Sequence, residues 1–356
     1  MDNSVEVLEY TLKSLNECTN QTLHKIVNIF IEDGIATKRN EENSGKIYIG
    51  SMTSKSGLFL CLKEQNSAIK SIEKWEFDKN YKYSMLFDVK NFDEKIIGNL
   101  LDSNQMVCYD NLDRCEELYS VAMNPSIKKI DSNYCLKFNF KLSATDTYGE
   151  KLKKRYTVVA IYYSDKQMLE LRFDTVEQIY SRERFYFVYG VLEWLRRYLG
   201  LSITAIDLKE IADYIMKNGK TDQVVPSAQD MHMASGGKAT VEVGNNDKMI
   251  LPFIGELKIL MESYDDDFRK APILKKVFED FIYEKENLSE FPWIRFKFEE
   301  KNFEVKFLFD YGRENGCLLQ HFHSALKANQ GRERMDYVTN YIIKVRDIVK
   351  TLPTEQ

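Results

Sequence analysis

Three consecutive stretches in the middle of the sequence restrict the fold more than any other feature. Residues 134–142, 155–163 and 167–173 are short, rich in aromatic and β-branched side chains, and bounded by polar segments, which is typical of β-strands. Only residues 164–166 separate the second stretch from the third, and a connection this tight joins antiparallel strands. The sequence therefore predicts an antiparallel β-meander.

The strongest helical pattern follows this meander. Over residues 182–199 apolar side chains recur every three or four positions in two adjacent stripes, so the predicted helix has a wide apolar face that needs cover from both sides. Gly200 predicts its end, and Asp207 predicts the N-cap of another helix over 208–216. Together these patterns predict an α+β fold, an antiparallel β meander with covering helices.

Composition along the chain predicts four regions. Residues 1–125 are expected to form an N-terminal α+β lobe, and residues 126–217 the central antiparallel sheet with its helices. Residues 218–248 are rich in Gly, Ser, Asn and Asp with little apolar periodicity, which predicts a linker or mobile loop. Residues 249–356 are expected to form a C-terminal lobe of helices and a β-hairpin.

The N-terminal lobe has two interpretations. A helical pattern over residues 22–33 precedes two predicted strands, at 46–49 and 58–62. This order occurs in winged helices, which would place Lys38 and Arg39 near DNA, and also in a helical cap on a sheet. No recognition-helix pattern precedes the strands, which favours the helical cap.

The composition is that of a folded protein without a membrane span. Hydrophobic residues make up 44% and charged residues 29%, which excludes disordered and collagen-like chains. The longest apolar stretch is interrupted by Glu193, Arg196 and Arg197, so no transmembrane helix is predicted. Six cysteines without CxxC spacing, and an opening sequence without a signal-peptide pattern, predict a cytoplasmic protein with reduced thiols.

One group of residues has the composition of a metal site. Cys317, His321 and His323 are separated by even numbers of positions, so a strand would place all three on one face as ligands for a transition metal. A helix would align Cys317 with His321 and turn His323 away. A polar loop or an ordinary strand explains the same residues without metal, and no cofactor is predicted.

A second catalytic pattern lies on a predicted strand of the C-terminal hairpin. Glu304 and Lys306 match the E-x-K half of the two-metal nuclease signature, in which carboxylates hold Mg²⁺ and the lysine orients water. The upstream acidic residue of that signature has no convincing position, and alternating charge on a solvent-facing strand generates E-x-K freely. A metal-dependent hydrolase or nuclease is therefore the alternative function.

Basic residues gather before one predicted strand and near the C-terminus. They predict a nucleic-acid-binding face, because lysine and arginine bind phosphate. The net charge of −5 provides no global attraction to phosphate, and acidic neighbours such as Glu333 and Asp336 dilute the second group, so a solvated charged face is the other interpretation. The candidate residues are Lys151, Lys153, Lys154, Arg155, Arg332 and Arg334.

The last predicted helix carries one narrow apolar seam. Its residues follow heptad spacing, at alternating steps of three and four. The helix is expected either to dock on its own lobe or to pair with a partner or a second copy of the chain. The candidate interface residues are Met335, Val338, Ile342, Val345 and Val349.

These patterns favour binding over catalysis. No complete nucleotide-binding, serine hydrolase or zinc protease signature occurs in the sequence, whereas aromatic residues reach 13%. We expect a non-catalytic binding or regulatory subunit of an intracellular multiprotein or nucleic-acid-associated system. Abundant Lys, Asn and Ile favour a bacterial source. The expected partner is another protein or a second copy, with nucleic acid as the second candidate and no membrane.

Overall fold

The chain folds into two units, whereas its composition predicted four regions. The first unit comprises Met1–Ala205 and Ser324–Asn340, and the second comprises Ile206–His323 and Tyr341–Gln356. A computed structural model describes the residues in the ranges 3–40, 45–65, 67–110, 124–183, 186–232, 237–242, 252–287, 290–311, 316–322 and 331–352.

Three helices of the first unit begin at side chains that cap them. Thr19, Thr53 and Asp93 each accept a hydrogen bond from a backbone N–H of the first turn. The helices are α1 (Asn3–Asn16), α2 (Asn20–Glu32), α3 (Ser54–Glu64), α4 (Ala68–Asp78), α5 (Glu94–Asp102) and α6 (Tyr186–Leu199).

The predicted strand at residues 58–62 is wrong, because these residues belong to α3. Thr53 caps the helix, and the buried Leu58, Cys61 and Leu62 lie at helical spacing on one face. The short run of apolar residues alone did not distinguish a strand from one face of a helix. The hairpin that a winged helix requires is therefore not present at this point of the chain.

The first unit contains the predicted meander. Its strands are β1 (Ala36–Thr37), β2 (Ile47–Tyr48), β3 (Tyr83–Lys90), β4 (Val107–Cys108), β5 (Ser126–Ile130), β6 (Asn133–Thr145), β7 (Lys151–Tyr163), β8 (Met168–Phe173) and β9 (Ser202–Ala205). The strands β6, β7 and β8 pair antiparallel in sequence order, which confirms the meander. In this unit the sheet order is β3-β8-β7-β6-β5-β4, with β9 also paired to β3, while β1 and β2 form a separate parallel pair.

The two faces of this sheet differ in chemistry. On one face, Phe138 packs against Trp194 of α6 at 5.4 Å between ring centroids, and Phe140 packs against Phe187 at 4.7 Å. The strand register places Lys137 opposite Val159, and Val159 opposite Arg172, on the other face. The meander is therefore apolar towards α6 and charged on its opposite face.

The second unit consists of an antiparallel sheet and helices. Its strands are β10 (Val224–His232), β11 (Lys238–Glu242), β12 (Glu290–Phe298), β13 (Phe303–Tyr311) and β14 (Gly316–Phe322), in the order β11-β10-β12-β13-β14. The helices are α7 (Leu208–Asn218), α8 (Pro252–Ser263), α9 (Asp265–Lys270), α10 (Pro272–Asn287) and α11 (Glu333–Val349), the last of which has its first residues in the first unit. The pairing of β12 with β13 confirms the predicted C-terminal hairpin. Among the helices described, none combines the length and the apolar character needed to cross a bilayer.

Residues 218–248 contain two strands, where a linker or mobile loop was predicted. β10 pairs with β12 on one side, and its second half pairs with β11 on the other. Pro226 lies next to a register shift and before the residues that β11 pairs, so its missing N–H costs little there. Proline and polar residues interrupt the apolar alternation of β10, so periodicity did not predict this strand. Residues 233–236 and 243–248 lie outside the described ranges.

Candidate protein-docking surface

The helices α8, α9 and α10 are held on the strands β10 and β11 by an apolar cluster. Its inward-facing members keep less than one tenth of their surface exposed. Phe268 and Phe278 pack against the cluster and meet edge to face, with ring centroids 5.8 Å apart. The buried members are Met231, Val241, Ile254, Met261 and Ile282.

The helix α10 carries two apolar stripes, of which only one reaches this cluster. Phe278 and Ile282 face inward, four positions apart. Leu274, Val277 and Phe281 are also at helical spacing, yet they are 50%, 58% and 40% exposed. At about 100° per residue the two stripes are centred about 90° apart on the helix. The second stripe is therefore outside the unit's own core.

We refer to the exposed residues Ile273, Leu274, Val277 and Phe281 as the α10 stripe. Ile273, one residue inside the helix, is 82% exposed. Among the described residues, fourteen large apolar side chains are exposed, and eight of them lie within residues 259–283. Scattered single exposures are ordinary, whereas contiguous exposed apolar patches are typical of interaction surfaces. The others in this segment are Ile259, Leu260, Tyr264 and Tyr283.

Local chemistry fixes where α10 begins. Pro272 is its first residue, a position where the missing N–H of proline costs nothing. Lys275 forms an ion pair with Asp265 of α9 at 2.9 Å, which ties the first turn of α10 to the preceding helix. The Lys275 ammonium lowers the pKa of the Asp265 carboxyl, because it donates a hydrogen bond to the charged carboxylate and attracts its negative charge.

A cavity of about 530 Å³ lies on the other flank of α10, between it and the helices α8 and α9. Its lining includes Met261, Glu262, Lys275, Glu279 and Tyr283. The lining is mixed in charge, and the Lys275–Asp265 pair belongs to it. Because Glu279 and Tyr283 point away from Leu274 and Val277 at about 100° per residue, the cavity and the α10 stripe occupy different sides of the helix.

Three of the four predicted nucleic-acid residues at the start of β7 pair with acidic side chains. Lys153 pairs with Glu9 of α1 at 2.7 Å, and Lys154 pairs with Glu17 and Glu177. Lys151 is exposed at the start of β7. These contacts neutralise two of the four cations within the unit.

Arg155 belongs to a buried cluster of four charged side chains. Lys137 of β6 and Arg155 of β7 contact Glu73 and Glu76 of α4, with Lys137 Nζ 2.9 Å and Arg155 Nη2 2.7 Å from Glu76 Oε2. All four keep at most 8% of their surface exposed. Asn139 donates to Glu73 Oε1 at 3.1 Å. The cluster contains two carboxylates and two cations, so its formal charge is zero.

A second buried cluster occupies the same face of the sheet. Arg172 pairs with Glu170 at 2.8 Å and with Asp336 at 2.6 Å, and the Tyr163 hydroxyl donates to Glu170 at 2.8 Å. Burial, together with the Glu170 charge, raises the pKa of Tyr163 well above its usual value. Burial also raises the pKa of the nearby Cys135 thiol to about 11. These groups hold the sheet to the first turns of α11.

The two predicted nucleic-acid residues near the C-terminus lie beside this second cluster. Arg332 pairs with Asp336 at 2.9 Å, and its N–H donates to the Asp78 carbonyl at 2.8 Å. Arg334 is 6% exposed. Binding phosphate through these guanidinium groups would require them to leave their present positions. The nucleic-acid face stays a prediction, and the geometry of these residues does not favour it.

The predicted metal ligands are only partly described. Cys317 and His321 both lie on β14, four residues apart on one face, and each is 4% exposed. His321 is opposite Val305 in the strand register, within the apolar face of the sheet. His323 lies outside the described residues. In the part of the chain that is described, no three His, Cys, Asp or Glu side chains converge as a metal site would require.

The nuclease candidates Glu304 and Lys306 lie on the opposite face of that sheet. The Lys306 ammonium is 3.5 Å from the ring centroid of Trp293, and burial lowers the pKa of Lys306. Glu304 pairs with Arg295 at 3.6 Å. A cation on an aromatic ring and a carboxylate beside an arginine form a cross-strand polar surface, and the two side chains are engaged separately.

The seam of α11 is not an exposed interface. Met335, Val338, Ile342 and Val345 have no exposed surface, and only Val349 is partly exposed. The seam faces its own chain: the Tyr81 N–H donates to Met335 Sδ at 3.3 Å. The burial fits the interpretation that this helix docks on its own chain. The partner interface stays a prediction, and the burial of these four residues does not favour it.

The α10 stripe was not anticipated from the sequence, although a signal was present. Apolar residues at 273, 274, 277, 278, 281 and 282 cover more of the helix circumference than one packed face uses. Comparison with family models, with curated proteins and with solved structures finds no match for this chain. The geometry of its own residues is thus the basis for inferring function.

Proposed function

We propose that this chain is a binding or regulatory subunit that acts by docking another protein chain on the α10 stripe. The observation that carries the proposal is the second apolar stripe of α10, exposed beside a first stripe that already anchors the helix. Complete burial of a fully exposed Leu, Ile, Val or Phe side chain contributes about 1.5–3 kcal/mol, and the side chains of the α10 stripe, which are 40–82% exposed, would gain part of this. Four such side chains together provide the driving force for a specific protein contact.

The cellular setting is part of the same proposal. Cys18, Cys61, Cys108 and Cys135 carry free thiols, which supports a reducing compartment such as the cytoplasm. Burial raises the pKa of Cys61 to about 11, so little reactive thiolate forms there near neutral pH. A bacterial multiprotein system is the setting that the composition favours. Nucleic acid would then reach this subunit through its partner.

Site-specific photo-crosslinking tests the proposal. Benzoylphenylalanine is incorporated at position 277 of the full chain in cells, and at position 148 in the matched control, where Tyr148 is 89% exposed in a turn of the first unit. We expect a defined protein adduct from position 277 and none from position 148. The adduct is identified and the purified protein is titrated against this chain, and Val277→Arg is expected to weaken binding at least about 10-fold.

Two results would contradict the proposal. One is the same set of adducts from both positions, which would show that exposure alone determines the reaction. The other is a purified partner that binds the Val277→Arg variant as tightly as the unchanged chain.

A further inference from the structure

Two residues of the α10 stripe, Ile273 and Phe281, are placed symmetrically about Val277. Ile273 precedes Val277 by four positions and Phe281 follows it by four, while Leu274 lies three positions before it. At about 1.5 Å per residue, Ile273 and Phe281 are each about 6 Å from Val277 along the helix axis. A second copy of α10 placed antiparallel, with its two-fold axis at Val277, therefore brings Phe281 of that copy level with Ile273.

The charges of α10 match the same arrangement. Lys275 and Lys276 lie in its first half, and Glu279 and Asp280 lie in the middle, towards the second half. This order opposes the preference of the helix dipole, which favours acidic groups early and basic groups late. On the flank beside the stripe the order does fit an antiparallel neighbour, because Lys276 of one helix then faces Asp280 of the other, whereas Lys275 and Glu279 lie on the cavity side.

One cross-chain ion pair can be named. Lys275 is already paired with Asp265, whereas Lys276 and Asp280 are exposed and flank the stripe on one side. With the axis at Val277, Lys276 and Asp280 of the second copy differ by only about 3 Å along the helix axis. The two-fold repeats this pair, so each dimer contains it twice. The same axis brings the two Lys276 side chains about 3 Å apart along the helix axis, so two attractive contacts act against one repulsive contact.

We propose that the α10 stripe is occupied by a second copy of this chain, packed antiparallel about Val277. This inference rests on the proposed function, since it names the partner of the same surface. The 16 residues of α10 span about 24 Å, which makes the contact smaller than a standard stable interface. We therefore expect a reversible dimer with a dissociation constant on the order of 10 µM.

The experiment is a charge swap read by sedimentation velocity on the full chain over a concentration series. Lys276→Glu places two acidic residues together across the axis, and Asp280→Lys places two basic residues together. We expect each variant to associate at least about 10-fold more weakly than the unchanged chain. An equimolar mixture of the two variants recreates both cross-chain pairs, and we expect it to recover association.

The mixture separates contacts between chains from contacts within one helix. In each variant the two charges of its own helix still repel, so recovery can come only from the other chain. Both positions are exposed, and circular dichroism is expected to show the same fold for all chains. The double variant Lys276→Glu with Asp280→Lys is expected to associate like the unchanged chain.

Specific outcomes would overturn the inference. A strictly monomeric chain of 41.8 kDa at all concentrations would do so, as would a mixture that fails to recover association. If position 277 nevertheless crosslinks to a different protein, the docking function stands and the second copy is rejected. If position 277 gives no specific adduct and the chain stays monomeric, both proposals fail.

Discussion

Two regions of the molecule are unusual in opposite ways. The sheet of the first unit buries charged side chains, whereas the α10 stripe of the second unit exposes apolar side chains. Lys137, Glu73 and Arg172 are at most 2% exposed at their side chains, whereas Val277 and Ile273 are mostly exposed. The charged residues are buried because other elements bring opposite charges to them. Ile273 and Val277 of α10, in contrast, stay mostly exposed to solvent in the described part of the chain.

The comparison shows what the two regions require. Burying an isolated charge costs several kcal/mol, and a neutral group of two carboxylates and two cations offsets much of that cost within the fold. An exposed apolar stripe costs little in the isolated chain but leaves free energy to be gained on association. The first region is neutralised within the fold, and the second is the surface on which we propose that another chain docks.

The largest effect is expected from breaking the four-residue buried cluster. Lys137→Met removes one cation and leaves Glu73 and Glu76 buried with one partner, which should lower the free energy of unfolding by about 3–5 kcal/mol. Urea unfolding of the full chain measures the loss. Lys153→Met is the matched control: it removes a partly exposed pair with Glu9, so a loss of only about 0–1 kcal/mol is expected. Equal losses would show that burial does not distinguish the two lysines.

The two stripes of α10 should respond very differently to truncation. Ile282→Ala removes a buried side chain of the apolar cluster and should cost about 2–5 kcal/mol. Val277→Ala, on the exposed stripe, should change the free energy of unfolding by less than about 0.5 kcal/mol at concentrations where the chain is monomeric. The same urea titration measures both. A large loss at Val277 would place the stripe inside the unit's own core.

Replacing the whole buried cluster should cost less than breaking it. The four substitutions Glu73→Leu, Glu76→Leu, Lys137→Met and Arg155→Met remove both signs of charge together, so no unpaired charge remains. We expect a free energy of unfolding within about 2 kcal/mol of the unchanged chain, above that of Lys137→Met alone. A quadruple variant less stable than the single one would mean that the cluster stabilises the fold through more than charge balance.

The smallest effect on stability, and the largest on association, is expected for Val277→Arg. The substitution places an exposed charge at the centre of the α10 stripe, so the free energy of unfolding should change by less than about 0.5 kcal/mol. Binding through the stripe should weaken at least about 10-fold, because two arginines would meet at the two-fold axis. Thermal unfolding and sedimentation of the same sample measure the two quantities. A loss of stability with unchanged association would show that Val277 belongs to the core of its own unit and not to an association surface.

The sequence predicted those parts of the fold that local periodicity specifies. The meander, the helix around residues 186–199 and the hairpin each show an uninterrupted period of two or of about 3.6, and the structure confirms them. The alternation also placed Glu170 and Arg172 correctly on the face opposite Leu169 and Leu171. The local pattern was sufficient to predict these elements, because apolar residues recur at the same spacing along the whole of each one.

The remaining features depend on what covers an element, which no local pattern encodes. Alternation in β6 and β8 is the same whether their polar face meets water or the carboxylates of α4 and α11, so the buried clusters were not predicted. The strand β10 was missed because Pro226 and polar residues interrupt its pattern. The apolar seam of α11 has heptad spacing, which is typical of an interface between chains, yet it packs against residues of its own chain. The stripe that remains exposed lies on α10.

Carbene footprinting of the unchanged chain over a range of concentrations tests the central claim most directly. A small diazirine reagent labels exposed side chains, and peptide mapping compares the segment around Val277 with the segment around Tyr148, from about 1 µM to about 200 µM protein. We expect labelling of Leu274, Val277 and Phe281 to fall as the concentration rises, while labelling of Tyr148 stays constant. Labelling of the α10 stripe that is the same at every concentration would contradict its burial by a second copy.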